Sequence, residues 1–491
     1  MSEAGPVPFT ETKAPESAER LHRGALSLVD ISASTMANIG PAYSFFFSFG
    51  FIVYTAGIAA PLTIIAAGIA IALLGNTLAQ FSRVQPSTGG FITFVGKTFG
   101  GTSAVTTALL CGAGYIIAIS SVLAVSGWFL EYTLHFYLGW NVPWIIWSVL
   151  LTGGAVVMML RGVGVSTKLA GFFFGFEMLV LVVVSVVLLI KHGSHLSFAP
   201  FEPHNITHGF SGLAAGFPLA VYLFIGWENS AALAEETGNP RRNVPRAVYL
   251  SIALMAVSYL LFAYATVSGF GYNGAKLSAS SDLIPFITVA HGALASLAFF
   301  AYLAGLTSTL GVLIAAVNSQ ARLIFNAGRE GVLPRWIGRV QPSRQTPRNA
   351  IFAFVGIASA LILVWAFLHL IGGHVQSGSM SGLVYFDESG TMGTILILVV
   401  YFLSNLALPF YYRKYRPAEF HVVKHLILPI LGMIAIAIPV YYLCKPPQTP
   451  PANWFPWVAL GILIVSVIYA LFLTRRDPAL GDRVGSIVAD E

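Results

Sequence analysis

Two carboxylates stand inside runs that are otherwise apolar. Glu177 lies in Gly175-Phe176-Glu177-Met178-Leu179, and Glu228 in Phe224-Ile225-Gly226-Trp227-Glu228-Asn229. A charged side chain at the centre of a bilayer costs roughly 2.5–3.5 kcal/mol on insertion scales, so such residues mark proton, ion or substrate pathways. Glu177 can load a proton on one side of a membrane and release it on the other; a glutamate bonded to nearby backbone is the structural alternative. Glu228 suits a proton relay or a support for the segment it sits in. Glu235 and Glu236, with Arg241 and Arg242, read as an ion-pair set that gates or orders the cytoplasmic face. Trp227 suits either covering a ligand or plain packing, and Tyr115, Tyr401 and Phe402 are further aromatic candidates.

The backbone offers chemistry too. The stretch Ser34-Thr35-Met36-Ala37-Asn38-Ile39-Gly40-Pro41-Ala42 puts Gly-Pro in the middle of an apolar run. Proline has no N–H to donate and clashes with the preceding helical turn. Gly226 interrupts a second run. Lipid supplies no hydrogen-bond partners, so unwound backbone at membrane depth is tolerated only where protein buries it or it lines a cavity. A half-helix that starts at a break exposes N–H groups and the positive end of a dipole; one that ends there exposes carbonyls. A zwitterion matches that pair. Its carboxylate would meet the amides after Gly40, among Ala37, Asn38, Ile39, Gly40, Pro41 and Ala42. Its ammonium would meet the carbonyls around Phe224 and Ile225, beside Gly226 and Trp227.

These residues need membrane helices to position them. The chain has 491 residues, 56% hydrophobic and 9% charged, with a mean hydropathy of +0.78; soluble domains carry about 25% charged residues. Twelve apolar segments are expected near 27–54, 59–81, 103–131, 142–160, 168–190, 212–233, 247–270, 288–322, 350–371, 391–412, 424–443 and 454–474, each long enough to cross roughly 30 Å of hydrocarbon. With both ends cytoplasmic, 23 of the 26 Lys and Arg fall on the cytoplasmic side, leaving Lys191, Lys276 and Lys445 outside. That partition follows the positive-inside rule. It makes the basic balance a matter of topology and argues against nucleic acid as a partner.

The two breaks fall five segments apart, in the first and sixth. Interrupted segments in matching positions of two halves point to a transporter's binding site. The expected fold is therefore an all-α integral membrane protein with a five-plus-five inverted repeat: residues 27–190 and 212–412, then two further helices over 424–474. Residues 1–26 and 475–491 read as polar cytoplasmic tails, the first of them disordered and without the pattern of a cleaved signal.

Three stretches add a resemblance. Gly226-Trp227-Glu228 with Ala234-Glu235-Glu236-Thr237-Gly238-Asn239-Pro240-Arg241-Arg242-Asn243-Val244-Pro245-Arg246-Ala247 is one. Asn318, Arg322, Gly328-Arg329-Glu330-Gly331-Val332-Leu333-Pro334 and Thr346-Pro347 form the second, and Pro86-Ser87-Thr88-Gly89-Gly90 the third. Together they resemble the amino acid–polyamine–organocation transporter superfamily. The resemblance implies the leucine-transporter-type fold with broken helices 1 and 6. It also implies uptake or exchange of amino acids or related amines by alternating access in the cell membrane. Many members carry Gly-x-Gly then Ile-Phe where this chain has Ile39-Gly40-Pro41-Ala42. In several proton-coupled members a lysine aligns with Glu177, counted from Ser166-Thr167-Lys168, and stands where sodium-coupled cousins hold sodium. A proton is thus the expected coupling ion. Sodium, held by Glu177 with Ser308 and Thr309, is the second choice, and no other cofactor is expected.

Other classes fit less well. A membrane enzyme needs a nucleophile, a metal cluster or a phosphate loop, and none appears in the spans. Cys111 and Cys444 read as small buried residues, and His192, His195, His204 and His208 share one outer loop without metal-ligand spacing. A channel would show filter repeats, and a nutrient sensor an output domain. With only Glu177 and Glu228 deep in the spans, an uncharged or zwitterionic substrate is favoured over a polyamine. An exchanger or an amine permease is the alternative within transport. Nothing in the sequence sets an oligomeric state.

Overall fold

The computed structural model describes residue 21 and residues 23–280, 284–341, 344, 346–371, 381–445 and 451–484. Most of the tail expected over 1–26, and residues 485–491, lie outside the described residues.

Almost every described residue is helical, and pairing between strands is limited to isolated bridges such as Leu26 with Thr237. In chain order the helices are α1 (Leu28–Ile39), α2 (Pro41–Ala56), α3 (Ala60–Val84), α4 (Phe91–Phe99), α5 (Gly101–Leu138) and α6 (Trp144–Leu160). There follow α7 (Val163–Lys191), α8 (Phe210–Tyr222), α9 (Asn229–Ala232), α10 (Pro240–Gly269), α11 (Gly274–Ala279) and α12 (Pro285–Ala293). The chain closes with α13 (Ala295–Glu330), α14 (Arg348–Ile371), α15 (Gly382–Tyr415), α16 (Leu428–Cys444), α17 (Phe455–Arg476) and α18 (Leu480–Arg483). Among the described residues, nine helical stretches are long and apolar enough to cross a membrane; α6 and α8 are shorter apolar helices.

The first helix is set by its cap. Ser27 Oγ accepts from the Asp30 N–H at 3.3 Å, and Asp30 Oδ2 accepts from the Ser27 N–H at 2.9 Å. This reciprocal box satisfies two end donors and starts the helix at Leu28. The preceding Leu26 pairs through its backbone with Glu236 and Gly238, which ties the entry of α1 to the segment after α9.

The longest helices form the core. α5 lies along α15, α3 along α10, and α7 along α13. At the first crossing Gly114 and Gly393 are so close that a Cβ on Gly393 would lie 3.0 Å from the Gly114 oxygen, the close approach that small residues permit between membrane helices. α16 and α17 bury least and present Ile434, Tyr441, Val465 and Ile468 outward.

Two differences from the sequence-based expectation matter. α15 starts at Gly382 rather than near 391, capped by Ser381 Oγ on the Val384 N–H at 3.2 Å. Asp387 and Glu388 lower the local hydropathy and hide this turn from a hydropathy reading, yet Glu388 accepts from Trp365 Nε1 at 2.7 Å. Asp387 and Glu388 therefore stand on a spanning helix, where the hydropathy reading leaves them outside. The other difference is at the C-terminal end, where residues 477–484 fold back. Leu480 and Val484 are buried, and Arg483 reaches the Glu330 carbonyl at 3.4 Å. Arg483 also pairs with Asp477, which holds that carboxyl below its ordinary range.

Candidate functional site

The first break is a single residue wide. Gly40 has φ +62° and ψ +77° and donates to the Met36 carbonyl at 3.0 Å, ending α1. Pro41 is the first residue of α2, the position where its missing N–H is an orphan in any case. A side chain at Gly40 would be strained by φ, and its Cβ would lie 2.1 Å from Val312 Cγ2.

The amides that follow are already occupied. Ala42 N–H donates to Glu177 Oε2 at 2.9 Å and Tyr43 N–H to Ser308 Oγ at 3.0 Å. Ser44 N–H returns to the Gly40 carbonyl at 2.7 Å, and Ser44 Oγ donates to the Ile39 carbonyl at 2.6 Å. Glu177, projecting from α7, therefore stands where the sequence reading places a substrate carboxylate. The reason is electrostatic: the open N-terminus of α2 is a positive dipole end, and a buried carboxylate is its natural partner. Glu177 is wholly buried, and its second oxygen, Oε1, has no hydrogen-bond partner among the described residues. Thr309 is buried too, with its hydroxyl on its own helix at the Leu306 carbonyl, 2.9 Å away.

The second break spans residues 223–228, between α8 and α9. Gly226 has φ +109°, and a Cβ there would come within 3.0 Å of the Asn38 backbone. The two breaks touch: Asn38 Nδ2 donates to the Gly226 carbonyl at 3.3 Å. Glu228 folds back over the break. Its Oε2 accepts from the Gly226 N–H at 3.1 Å and its Oε1 from the Tyr115 hydroxyl at 2.7 Å. The Phe224 carbonyl accepts from Trp227 N–H at 3.2 Å and the Leu223 carbonyl from Tyr259 at 2.8 Å. Each interrupted helix thus has a carboxylate seated on its unwound backbone.

Aromatic rings bracket this core. On one side Tyr43 and Tyr222 share a hydroxyl contact of 3.1 Å, and both rings meet Phe386 edge-on at 5.7 and 5.8 Å. On the other, Trp227, Tyr401 and Phe91 pack together, with centroids 5.3–6.3 Å apart. Trp227 and Tyr401 are buried, whereas Phe402 is 40% exposed and faces away. Sequence does not single out Tyr43, Tyr222, Phe386 or Phe91, since an aromatic in an apolar run carries no signal of its facing.

The acidic pair toward the α10 end finds different partners from those expected. Glu236 binds Arg322 with contacts of 2.5 and 3.2 Å, and Glu235 binds Arg329 with 3.1 and 2.9 Å. All four side chains are buried, while Arg241 and Arg242 stand exposed at the start of α10. Thr88 adds a 3.5 Å contact to Glu235, and Asn326 accepts from Arg329 at 2.7 Å. The three motif stretches therefore meet in one cluster. Among the described residues no three His, Cys, Asp or Glu side chains gather as a metal site.

A family model for amino acid permeases matches residues 25–468. The chain belongs to the amino acid permease family. It is 26% identical over 436 residues to the methylthioribose transporter of Bacillus subtilis (strain 168), covering 83% of this chain and 85% of that one. The branched-chain amino acid permease BcaP of the same organism is 21% identical over 444 residues, covering 86% and 87%. An uncharacterized amino acid permease of that organism, YecA, is 24% identical over 291 residues, 58% of this chain, and the match spans 64% of its length. Among solved structures, a mutant manganese transporter of Eremococcus coleocola superposes with a TM-score of 0.55 at 11% identity, covering 91% and 95% of the two chains. The nucleobase-cation-symport-1 transporter Mhp1, closed with bromovinylhydantoin bound, gives 0.52 at 13%, covering 96% and 100%. This family member thus has the leucine-transporter-type fold and is a multi-pass membrane protein.

Proposed function

We propose that this permease is a secondary active transporter that carries an amino acid or a related small amine across the cell membrane by alternating access, with a proton as the coupling ion. It crosses the membrane twelve times and keeps both termini in the cytoplasm. The observation that carries the reading is the meeting of three elements at one buried point. The two breaks touch through Asn38 and Gly226, and Glu177 binds the first of them with one oxygen left unpaired. Protonation of that carboxylate weakens its hold on the α2 amide, since hydrogen bonds to charged groups are the stronger ones. Loading and release of a proton are thereby tied to the break at which substrate binds. The Glu236–Arg322 and Glu235–Arg329 pairs close the cytoplasmic side and part when it opens. Relatives named for branched-chain amino acids and for D-serine, D-alanine and glycine support the substrate class.

The test is uptake into proteoliposomes holding the purified protein. A panel of labelled amino acids and amines is offered with an imposed pH gradient, a sodium gradient or neither. Accumulation that follows the pH gradient is expected. Sodium-driven accumulation indifferent to pH would overturn the coupling ion, and uptake of no amine-bearing compound would overturn the function.

A further inference from the structure

Away from both breaks, a cavity of about 200 Å³ lies where α12 faces the C-terminal end of α5 and the start of α13. One wall is α12 with the residue before it: Ile284, Ile287, Thr288 and His291 recur at i, i+3, i+4 and i+7, a single helical stripe. The other wall is made of rings, Tyr132 and Phe136 from α5 and Tyr302 from α13. Tyr302 stacks on Phe136 at 5.7 Å and lies tilted to Tyr132 at 6.1 Å. Phe136 also meets the His291 imidazole edge-on at 6.4 Å. Phe136 is 52% exposed and His291 is exposed, so the cavity is reached from the surface without passing the breaks.

Size and lining select the guest. A cavity of about 150 Å³ lined by Leu, Ile and Phe takes up benzene, so this one has room for a single ring with a small substituent. Among the described residues that line it there is no Asp, Glu, Lys or Arg, so no counter-charge offsets the desolvation of an ionic guest. Aromatic pairs gain from offset or edge-on contact at roughly 4.5–7 Å between centroids, beyond the area they bury; a saturated ring of equal size does not. Thr288 Oγ1 is engaged, donating to the Ile284 carbonyl at 3.2 Å. The other polar groups are the Tyr132 and Tyr302 hydroxyls and the His291 imidazole. Each can donate or accept, which suits one hydrogen-bonding substituent on the ring.

The cavity also lies on a joint. The opposite side of α12 carries Phe286, 1% exposed, which stacks on Phe46 at 5.7 Å and meets Phe45 edge-on at 5.9 Å. Both belong to α2, the half-helix that starts at the Gly40 break. α5 and α13, by contrast, run uninterrupted for 38 and 36 residues. A guest held between the two walls pins α12 to α5 and α13, and α2 with it. We propose that this cavity is a regulatory site for a neutral single-ring aromatic compound with one hydrogen-bonding substituent, and that the bound ring slows transport by holding α2. The binding is independent of the transporter reading; the slowing rests on it.

The probes are benzyl alcohol and cyclohexylmethanol, neutral alcohols that differ in the aromaticity of the ring. Binding to purified full-length protein is followed by saturation-transfer NMR. Uptake is followed in proteoliposomes with the compound from the panel above that accumulates most. Benzyl alcohol is expected to bind roughly fivefold more tightly than cyclohexylmethanol and to lower the maximal uptake rate severalfold with the substrate KM unchanged. Thr288→Trp, which offers an indole to the cavity from an exposed position, is expected to abolish both effects. Phe136→Leu, at a half-exposed ring, is expected to weaken binding about fivefold and stands in if the tryptophan variant fails to fold; if neither folds, the wild-type comparison of the two alcohols decides. Equal binding of the two alcohols, or benzyl alcohol binding that the variants leave unchanged, overturns the site. Binding that leaves the maximal rate unchanged, or that raises KM alone, overturns the hold on α2. Should no compound in the panel be taken up, the transporter reading fails and the slowing with it, while the binding measurements still decide the site.

Discussion

Replacing Glu177 with Gln separates the charge of this residue from its geometry. The amide oxygen of Gln can still accept from the Ala42 N–H that Glu177 now binds at 2.9 Å. Hydrogen bonds to charged groups contribute about 1.5–3 kcal/mol and neutral ones about 0.5–1.5, so the cap on α2 weakens by roughly 1–1.5 kcal/mol and the break keeps its shape. The driving force changes far more. One charge moved through 100 mV supplies about 2.3 kcal/mol, which is roughly fifty-fold accumulation at 1.4 kcal/mol per factor of ten. In proteoliposomes with an inside-negative potential and an acidic exterior, wild-type protein is expected to approach that ratio for a neutral zwitterion. Glu177→Gln is expected to bring internal and external substrate only to equality, while still exchanging labelled for unlabelled substrate across the membrane. Glu177→Leu leaves the Ala42 N–H buried without a partner, at about 1–3 kcal/mol, and is expected to lose thermal stability and exchange together. Proton-driven accumulation by Glu177→Gln at the wild-type level would refute the assignment, because no carboxylate would then be needed at this amide.

Glu236→Gln removes the counter-charge of the Arg322 guanidinium, whose side chain is 1% exposed and keeps its bond to the Asn318 carbonyl; loss of one partner of a buried pair costs about 3–5 kcal/mol. The expected drop in thermal midpoint in detergent should be largely recovered when both residues are replaced by Met and Leu. Gly40→Val is expected to cut uptake more than tenfold, because its φ of +62° and the 2.1 Å approach to Val312 leave no place for a side chain. Gly226→Val should do the same through its 3.0 Å approach to Asn38, and normal uptake by both would remove the breaks from the site. Topology is open to cysteine labelling in a Cys444→Ser background. His195→Cys should react with an impermeant maleimide in intact cells and Arg241→Cys only after permeabilisation; the reverse pattern would invert the orientation.

Local signals bring the breaks into view. Gly40-Pro41 and Gly226 state a backbone conformation that no neighbour needs to supply, and the structure opens the helices at those residues. What occupies the breaks is less legible. Glu177 stands out as a carboxylate in an apolar run, but its bond to Ala42 joins residues 135 apart in sequence, and no periodicity encodes that meeting. For Glu235 and Glu236, adjacency along the chain is the only guide, and it points to Arg241 and Arg242, the wrong arginines. Their actual partners, Arg322 and Arg329, sit on α13 and are visible in the sequence merely as parts of another motif.

The bond between Ala42 and Glu177 also orders the birth of the molecule. During synthesis the Ala42 N–H at the start of α2 cannot meet its acceptor until α7 emerges, 135 residues later. At roughly 5–20 residues per second that delay is about 7–27 s. Hydrocarbon penalises an orphaned amide by several kcal/mol, so the nascent first helix must wait at an aqueous boundary or within the insertion machinery for its counter-charge to arrive. Synonymous codon changes that slow the ribosome between residues 42 and 177 lengthen this wait, and they should lower the yield of folded protein without altering a single side chain.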